Sequence, residues 1–195
     1  MSQTMRKRVI KLQFNAPVIL MFTLLALGAL IAGNVTGGWT THKFFSVYRS
    51  SLADPFTYVR LFCHVLGHAS WEHYMGNMVL LLVVGPPLEE KYGSWTMLWA
   101  ILFTALVSGI VHCIVDPTTA LLGASGVVFM LIMLSSLAGM RDGAIPITMI
   151  LVAIIYLGGE IVDAFTGHDS VSQLTHIVGG LCGTFLGFLL ARRRR

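Results

Sequence analysis

Charged side chains are scarce in this sequence. The 195 residues include 13 Lys and Arg and 9 Asp and Glu, which together make 11% of the chain, whereas about a quarter of the residues in a typical soluble domain are charged. Hydrophobic residues make 55% of the chain, and its mean hydropathy is +0.78. This composition excludes an ordinary soluble domain and indicates an integral membrane protein.

Cysteines are also few. Cys63, Cys113 and Cys182 do not show the paired spacings that are typical of disulfide frameworks or zinc sites. We assign them no chemical role and interpret them as buried apolar side chains. The sequence has no low-complexity segment and no clear internal repeat, so we expect one membrane domain.

The apolar residues form runs that are long enough to cross a bilayer. A transmembrane helix needs about 20 largely apolar residues, and six segments approach that length: 16–33, 71–88, 95–115, 121–139, 144–162 and 171–190. We expect the first to be a retained helix, because it has no evident signal-peptide cleavage site. The sequence therefore predicts an all-α bundle of six transmembrane helices, with a long first loop rich in aromatic residues that lies at the membrane interface.

Basic residues flank alternate ends of these segments and predict their orientation. Lys and Arg are enriched in short cytoplasmic flanks, and here they are Arg6, Lys7, Arg8, Lys11, Lys91, Arg141 and the run 192–195. We expect a cytoplasmic basic N-terminus at 1–15, a membrane domain at 16–191 and a cytoplasmic arginine tail at 192–195. These basic ends are better suited to anionic inner-leaflet lipid than to nucleic acid.

One short motif inside a predicted membrane segment contains a potential catalytic residue. Gly123, Ala124, Ser125 and Gly126 form a G-x-S-G tetrapeptide inside the uncharged fourth segment. Small neighbours allow a helix or a substrate backbone to approach the Ser125 hydroxyl closely. Polar residues within membrane segments are functional candidates by default, so Ser125 is a candidate nucleophile.

The sixth segment offers a base at the same predicted depth. His176 and Ser125 both lie within about 8 Å of the outer ends of their segments, at 1.5 Å per helical residue. Gly179, Gly183 and Gly187 recur every four residues, and small residues at that spacing allow close packing of membrane helices. We expect this stripe to pack against the fourth helix and to bring His176 to Ser125.

A serine–histidine dyad also needs groups that stabilise an oxyanion. Neutral imidazole is a suitable base for a serine hydroxyl. No carboxylate lies near His176 in the sequence, so we expect a dyad rather than a full triad. His73 and Asn77 lie four residues apart on one face of the second helix. They are candidate oxyanion donors, together with the Ser125 backbone N–H.

From Tyr58 to the C-terminus, the chain resembles a rhomboid intramembrane serine protease of the basic six-helix bacterial type. The resemblance implies that Ser125 is the nucleophile and His176 the general base, that His73 and Asn77 stabilise the oxyanion, and that Tyr156 faces a lateral opening between the second and fifth helices. Supporting positions match as well: Gly123, Gly126, Gly179, Gly183, His64, His68, Arg60 and Glu89, the last within a G-x-x-x-E-x-x-x-G pattern from Gly85 to Gly93.

Three positions depart from the family pattern. Val59 stands where the family has tryptophan before the arginine, Phe129 where a tyrosine is common, and Thr175 where alanine precedes the histidine. These changes affect the expected rate and substrate range more than the reaction. The resemblance implies cleavage of transmembrane substrates near their outer ends, without a cofactor or metal and with the site opening outward. The small size and compact loops favour a bacterial inner membrane, with an organellar membrane as the alternative.

Three other interpretations remain open. His64, His68 and His73 could bind zinc, but no further ligand of suitable spacing completes a site except Cys63 or Glu72, so we favour hydrogen bonds between the first loop and the helices. A transporter would need a polar path through the whole bilayer. An inactive rhomboid-like protein that binds transmembrane clients for quality control is the alternative closest to a protease. The sequence predicts neither the substrate nor the oligomeric state.

Overall fold

A computed structural model of the chain describes residues 14–138 and 170–192, together with positions 147, 150, 151 and 154. Seven α-helices and one 3₁₀ turn make up most of these described residues, and the only β-type pairing there is an isolated bridge between Val47 and Leu121. The helices are α1 (Pro17–Val35), α2 (Trp39–Phe44), α3 (Pro55–Cys63), α4 (Trp71–Tyr92), α5 (Ser94–Val115), α6 (Ser125–Ala138) and α7 (Ser170–Arg192), and the 3₁₀ turn is His64–Leu66.

Half of the predicted membrane spans are clear in the described residues. Pro17–Val35, Ser94–Val115 and Gln173–Ala191 are long and apolar enough to cross a membrane, and Ser125–Ala138 is a shorter apolar helix. The chain is therefore an all-helical integral membrane protein. The count of six spans stays a prediction, because α4 and α6 are not among the helices long and apolar enough to cross a membrane, and most of the fifth segment, 144–162, lies outside the described residues.

The apolar helix α6 occupies the centre of the described bundle. Its residues from Gly126 to Leu134 are buried on nearly every side, as expected for a helix that is hydrophobic around its whole circumference. It packs most extensively against α7 and also contacts α4 and α5. The residues of α6 from Gly126 to Leu134 therefore face protein more than lipid.

Helix α6 begins four residues later than the sequence predicted. Leu121 does not start a helix, because its backbone N–H and C=O exchange two 2.8 Å hydrogen bonds with Val47 of the first loop. Gly123 then adopts a φ of +124°, a conformation that favours glycine, and its N–H donates to the His64 carbonyl at 3.0 Å. These tertiary contacts make Ser125 the first residue of the helix.

The first loop is held together by one buried arginine. Arg60 donates from Nη2 to Ser50 Oγ at 2.9 Å and to Asp54 Oδ2 at 2.9 Å, and its guanidinium lies 4.6 Å from the centre of the Tyr48 ring. The hydrogen bond from Arg60 lowers the pKa of the partly exposed Asp54 carboxyl below its usual range. Arg60 therefore supports the loop that positions Val47.

Helices α1 and α4 are joined at the opposite end of the bundle. The two carboxylate oxygens of Glu89 accept hydrogen bonds from the N–H groups of Val18 and Ile19, each at 2.9 Å, so that α4 satisfies two of the donors at the start of α1. A Cβ atom at Gly85 would lie 2.6 Å from Ile19 Cδ1, so the two helices are in close contact there. We define this end as the Glu89 end and the other as the Ser125 end.

Candidate active site

Ser125 lies at the N-terminus of the central helix. The first helical hydrogen bond of α6 runs from the Val128 N–H to the Ala124 carbonyl at 2.9 Å. The N–H groups of Ser125, Gly126 and Val127 consequently have no acceptor within the helix. These donors and the positive end of the helix dipole favour negative charge beside the half-buried Ser125.

His176 is placed at the same level through an aromatic ring. The imidazole of His176 stacks on the Phe129 ring, with centroids 4.2 Å apart and the planes inclined by 8°. Phe129 is four residues after Ser125 and so lies on the same face of α6. The hydroxyl of a tyrosine is absent at this position, but the aromatic surface that holds the histidine ring is present.

Close backbone packing between α6 and α7 sets this level. A Cβ atom at Gly179 would lie 2.1 Å from the Gly126 carbonyl oxygen, and one at Gly183 would lie 2.2 Å from the Met130 carbonyl oxygen. Real Cβ atoms do not approach backbone atoms so closely, so only glycine fits at these two contacts. The structure therefore brings the stripe predicted from the sequence against the helix that begins with Ser125.

His73 lies over the backbone segment that leads to Ser125. A Cβ atom at Gly123 would be 2.8 Å from His73 Cε1 and 2.9 Å from His73 Nε2. Ser70 caps α4 by accepting a 3.2 Å hydrogen bond from the His73 N–H, which fixes the start of this helix. The His73 and His176 side chains are also within electrostatic range of each other.

Asn77 is one turn along α4 from His73. It is buried, with 7% of its surface exposed, and its Nδ2 donates to the His73 carbonyl at 2.9 Å. The amide group has a second N–H, so this backbone bond leaves one donor for another acceptor. The structure thus places His73 close to the Ser125 approach, with Asn77 one turn farther along α4.

His64 and His68, the two histidines predicted to have supporting roles, donate hydrogen bonds to backbone carbonyls. His64 Nε2 donates to the Ala105 carbonyl of α5 at 3.0 Å, and His68 Nδ1 donates to the Leu66 carbonyl at 3.1 Å. Burial is the largest cause that lowers the pKa of each ring to about 4. His64 also accepts the Gly123 N–H through its own carbonyl, and so links the first loop, α5 and the approach to Ser125.

A metal site does not assemble from these side chains. Among the described residues, no group of three His, Cys, Asp or Glu side chains could hold a metal ion. Their observed contacts are instead with carbonyl groups and with one another, since the His68 and His73 rings lie 5.1 Å apart.

Sequence reasoning missed two residues in a line of buried polar side chains on α5. Thr104 and Ser108 are 0% and 3% exposed, and Ser108 Oγ donates to the Thr104 carbonyl at 2.7 Å. His112 continues the line one turn later, where its Nε2 donates to the Thr119 carbonyl at 3.2 Å. The spacing of four residues in an otherwise apolar segment was the signal that could have identified this face.

The other predicted residues are farther from Ser125 or outside the described part. Arg60 supports the first loop, and Glu89 binds α1 at the opposite end of the bundle. Thr175 is buried against Gly126, where a Cβ atom would meet its Cγ2 at 3.0 Å, and Val59 is 40% exposed. Tyr156 lies outside the described residues.

Comparison with known proteins identifies related sequences. Residues 55–193, more than half of the chain, match the family profile of the Rhomboid domain. The chain is 32% identical over 133 residues to Rhomboid-related protein 1 of Caenorhabditis elegans, covering 63% of this chain and 37% of that protein. It is 26% identical over 193 residues to Rhomboid-related protein 2 of Mus musculus, covering 88% of this chain and 64% of that protein.

These two relatives limit what the comparison shows about the activity and location of this chain. The chain spans only 37% and 64% of their lengths, so the activities of the whole relatives do not transfer directly. Both relatives are animal proteins, and the basic bacterial type and a bacterial inner membrane therefore stay predictions.

Proposed function

Because this chain belongs to the rhomboid family, we propose that it is an intramembrane serine protease in which Ser125 is the nucleophile and His176 the general base. One observation carries the assignment. The His176 ring stacks on Phe129 one turn from Ser125, and glycine contacts hold their two helices at backbone distance. A membrane bundle that only needed packing would not require a base beside the serine that begins α6.

The proposed reaction follows from these positions. His176 removes the proton of the Ser125 hydroxyl as the oxygen attacks the scissile carbonyl of the substrate. The oxyanion that forms is stabilised by His73, Asn77 and the free N–H groups at the start of α6, since preorganised donors contribute strongly to catalysis. His176 then protonates the leaving amine, and water hydrolyses the acyl-enzyme with His176 again acting as base.

The substrate is proposed to be a transmembrane segment. Ser125 begins a helix in the core of the membrane domain, and this position favours a peptide bond near the end of a substrate helix, where local unwinding exposes it. The lipid bilayer is the surrounding medium, and neither a cofactor, a metal nor a nucleic acid takes part in the proposed reaction. Cytoplasmic termini and an outward-facing site remain part of the proposal.

Cleavage of a model single-span substrate by the full-length chain in liposomes tests this assignment. We expect Ser125→Ala and His176→Ala each to reduce turnover by about 10⁴-fold or more, since removal of a nucleophile or its base has effects of that size. Ser135→Ala is the matched control, because it removes an exposed hydroxyl from the same helix; it should keep its activity.

Different outcomes separate the alternatives. Cleavage that survives Ser125→Ala would refute the nucleophile. A correctly folded parent chain that binds transmembrane substrates but cleaves none, and whose Ser125 does not react with a covalent serine probe, would favour the inactive client-binding protein over the protease.

A further inference from the structure

A pocket opens at the Ser125 end of α5, away from the catalytic residues. Its volume is about 500 Å³, and the first loop and α5 form its walls. The loop contributes Tyr48, Arg49 and Ser50 to this pocket, which none of the proposed catalytic residues lines. We call it the Arg49 pocket.

The Arg49 pocket has an excess of positive charge. Arg49 lines it and is solvent-exposed, and within the described residues no carboxylate lies within ion-pair distance of its guanidinium. Arg60 lies directly behind the wall, bonded to the lining hydroxyls of Ser50 and Thr57. Cys113 Sγ, on the opposite wall, is within electrostatic range of both guanidinium groups.

Within the described residues, the first loop does not satisfy every hydrogen-bond donor of the buried Arg60 side chain. Its side chain is 2% exposed and forms an ion pair with Asp54 at 2.9 Å, so this acid offsets only one of the two positive charges. Arg60 Nε is buried and has no partner in the described part of the structure. A buried guanidinium with an unpartnered donor beside an exposed arginine favours an anion in the space between the loop and α5.

The remaining wall is apolar and continuous with the lipid-facing surface. Ile110 and Ile114 of α5 line the pocket and are 43% and 72% exposed. They lie four residues apart on one face of a helix that is long and apolar enough to span the membrane. A ligand for this pocket therefore combines a negative group at the arginines with hydrocarbon along α5.

We propose that the Arg49 pocket binds the phosphate group of an anionic phospholipid in the leaflet at the Ser125 end. The Arg49 guanidinium contacts the phosphate, Arg60 adds to the positive potential from behind, and an acyl chain lies along Ile110 and Ile114. Arginine suits this role, because its planar guanidinium forms paired hydrogen bonds with phosphate oxygens.

The position of the pocket connects it to the approach to Ser125. Arg49 follows Val47 by two residues, and Val47 holds Leu121 through paired backbone hydrogen bonds. Lipid bound at Arg49 would therefore restrain the strand-like contact that positions the segment before α6. The lipid site itself does not depend on the proposed proteolysis, and a binding measurement tests it separately.

Native mass spectrometry of the delipidated full-length chain, titrated in detergent with phosphatidylglycerol or phosphatidylcholine, measures this binding. We expect tighter binding of phosphatidylglycerol and a roughly five-fold or larger loss of affinity in Arg49→Gln, the change expected for removing one cation from an anionic lipid site. Lys43→Gln is the matched control: it removes one charge from the same loop, where Lys43 lies over the Phe56 ring at 4.0 Å and outside the pocket.

The outcomes distinguish a specific lipid site from general attraction of acidic lipid and from a site for free phosphate. Equal losses in Arg49→Gln and Lys43→Gln would overturn the proposal, since they would indicate general attraction of acidic lipid to a basic loop. Equal affinity for the two lipids in the parent chain would also overturn it. Competition by soluble glycerol phosphate at the affinity of the lipid would show a site for a free phosphate rather than for a membrane lipid.

Discussion

The two ends of the helix bundle satisfy their buried polar groups in different ways. At the Glu89 end, both carboxylate oxygens of a 2% exposed side chain accept backbone N–H groups of α1. At the Ser125 end, one ring nitrogen each of His64, His68 and His112 is buried without a partner in the described residues. Buried polar groups are usually hydrogen-bonded. The unpaired ring nitrogens therefore indicate that buried polar side chains at the Ser125 end have a role beyond packing.

The comparison also separates two kinds of helix contact. At the Glu89 end, a side chain joins two helices, and a Cβ atom at Gly85 would meet the flexible side chain of Ile19. At the Ser125 end, a Cβ atom at Gly179 would meet the backbone of Gly126. Side chains can adjust and backbone cannot, so the geometry around Ser125 is the more rigid of the two.

The largest expected effect comes from breaking the rigid contact. Gly179→Ala places a Cβ atom about 2.1 Å from the Gly126 carbonyl oxygen, which α7 can relieve only by moving away and displacing His176. We expect a loss of about 3 kcal/mol or more in the free energy of unfolding, together with loss of cleavage. Reversible unfolding in mixed micelles measures the first effect and the liposome assay the second.

Gly28→Ala is the matched control for this substitution. Gly28 lies in α1, and a Cβ atom there would have no neighbour within 4 Å. Alanine has the higher helix propensity, so the variant should be as stable as the parent or up to about 1 kcal/mol more stable. Equal stability of Gly179→Ala and Gly28→Ala would contradict the close contact of α6 and α7.

A smaller effect is expected at the other end of the bundle. Glu89→Ala removes two charge-assisted hydrogen bonds and leaves the Val18 and Ile19 N–H groups without their acceptor. We expect a loss of about 2 kcal/mol in the free energy of unfolding. Cleavage measured well below the unfolding temperature should remain, because this carboxylate lies at the opposite end from Ser125.

Glu90→Ala provides the neighbouring control. Glu90 is exposed and accepts a hydrogen bond from the Asn15 side chain, so its removal should change the free energy of unfolding by about 0.5 kcal/mol or less. Loss of cleavage in a folded Glu89→Ala variant would contradict this prediction. It would show that activity at the Ser125 end depends on the hydrogen bonds at the Glu89 end.

Local periodicity explains which parts of the fold could be predicted. The first, third and sixth segments have the expected apolar lengths, and their helices begin and end within two residues of the prediction. The spacing of Gly179, Gly183 and Gly187 predicts one helix face, and that face packs against α6. These features depend only on residues that are close together in the chain.

Contacts between distant residues explain what could not be predicted. The start of α6 depends on Val47, which lies 74 residues before Leu121 in the sequence, and nothing in the apolar fourth segment indicates that partner. Glu89 was predicted as part of a local spacing pattern with Gly85 and Gly93, but it accepts hydrogen bonds from residues about 70 positions away. The four-residue spacing of Thr104 and Ser108 places them on one face of α5, but the packing of the helix is needed to show that this face is buried.

The smallest expected effect is a pH dependence that belongs to the Ser125 end. Burial lowers the pKa of His68 from 6.5 to about 4, with a further contribution from the neighbouring His73. The folded chain therefore keeps this ring neutral while the unfolded chain protonates it. The stabilisation is complete above pH 6.5 and is lost progressively as the pH falls towards 4.

Unfolding at pH 7.5 and pH 5.5 measures this contribution. Over that interval His68 should lower the free energy of unfolding by about 1 kcal/mol, because one unit below the unfolded pKa corresponds to about 1.4 kcal/mol. His68→Gln should reduce the difference between the two pH values by that amount, whereas His42→Gln, at an exposed histidine of the same loop, should retain the difference of the parent. An unchanged pH difference in His68→Gln would contradict the prediction, because the ring would then be accessible to protons in the folded chain.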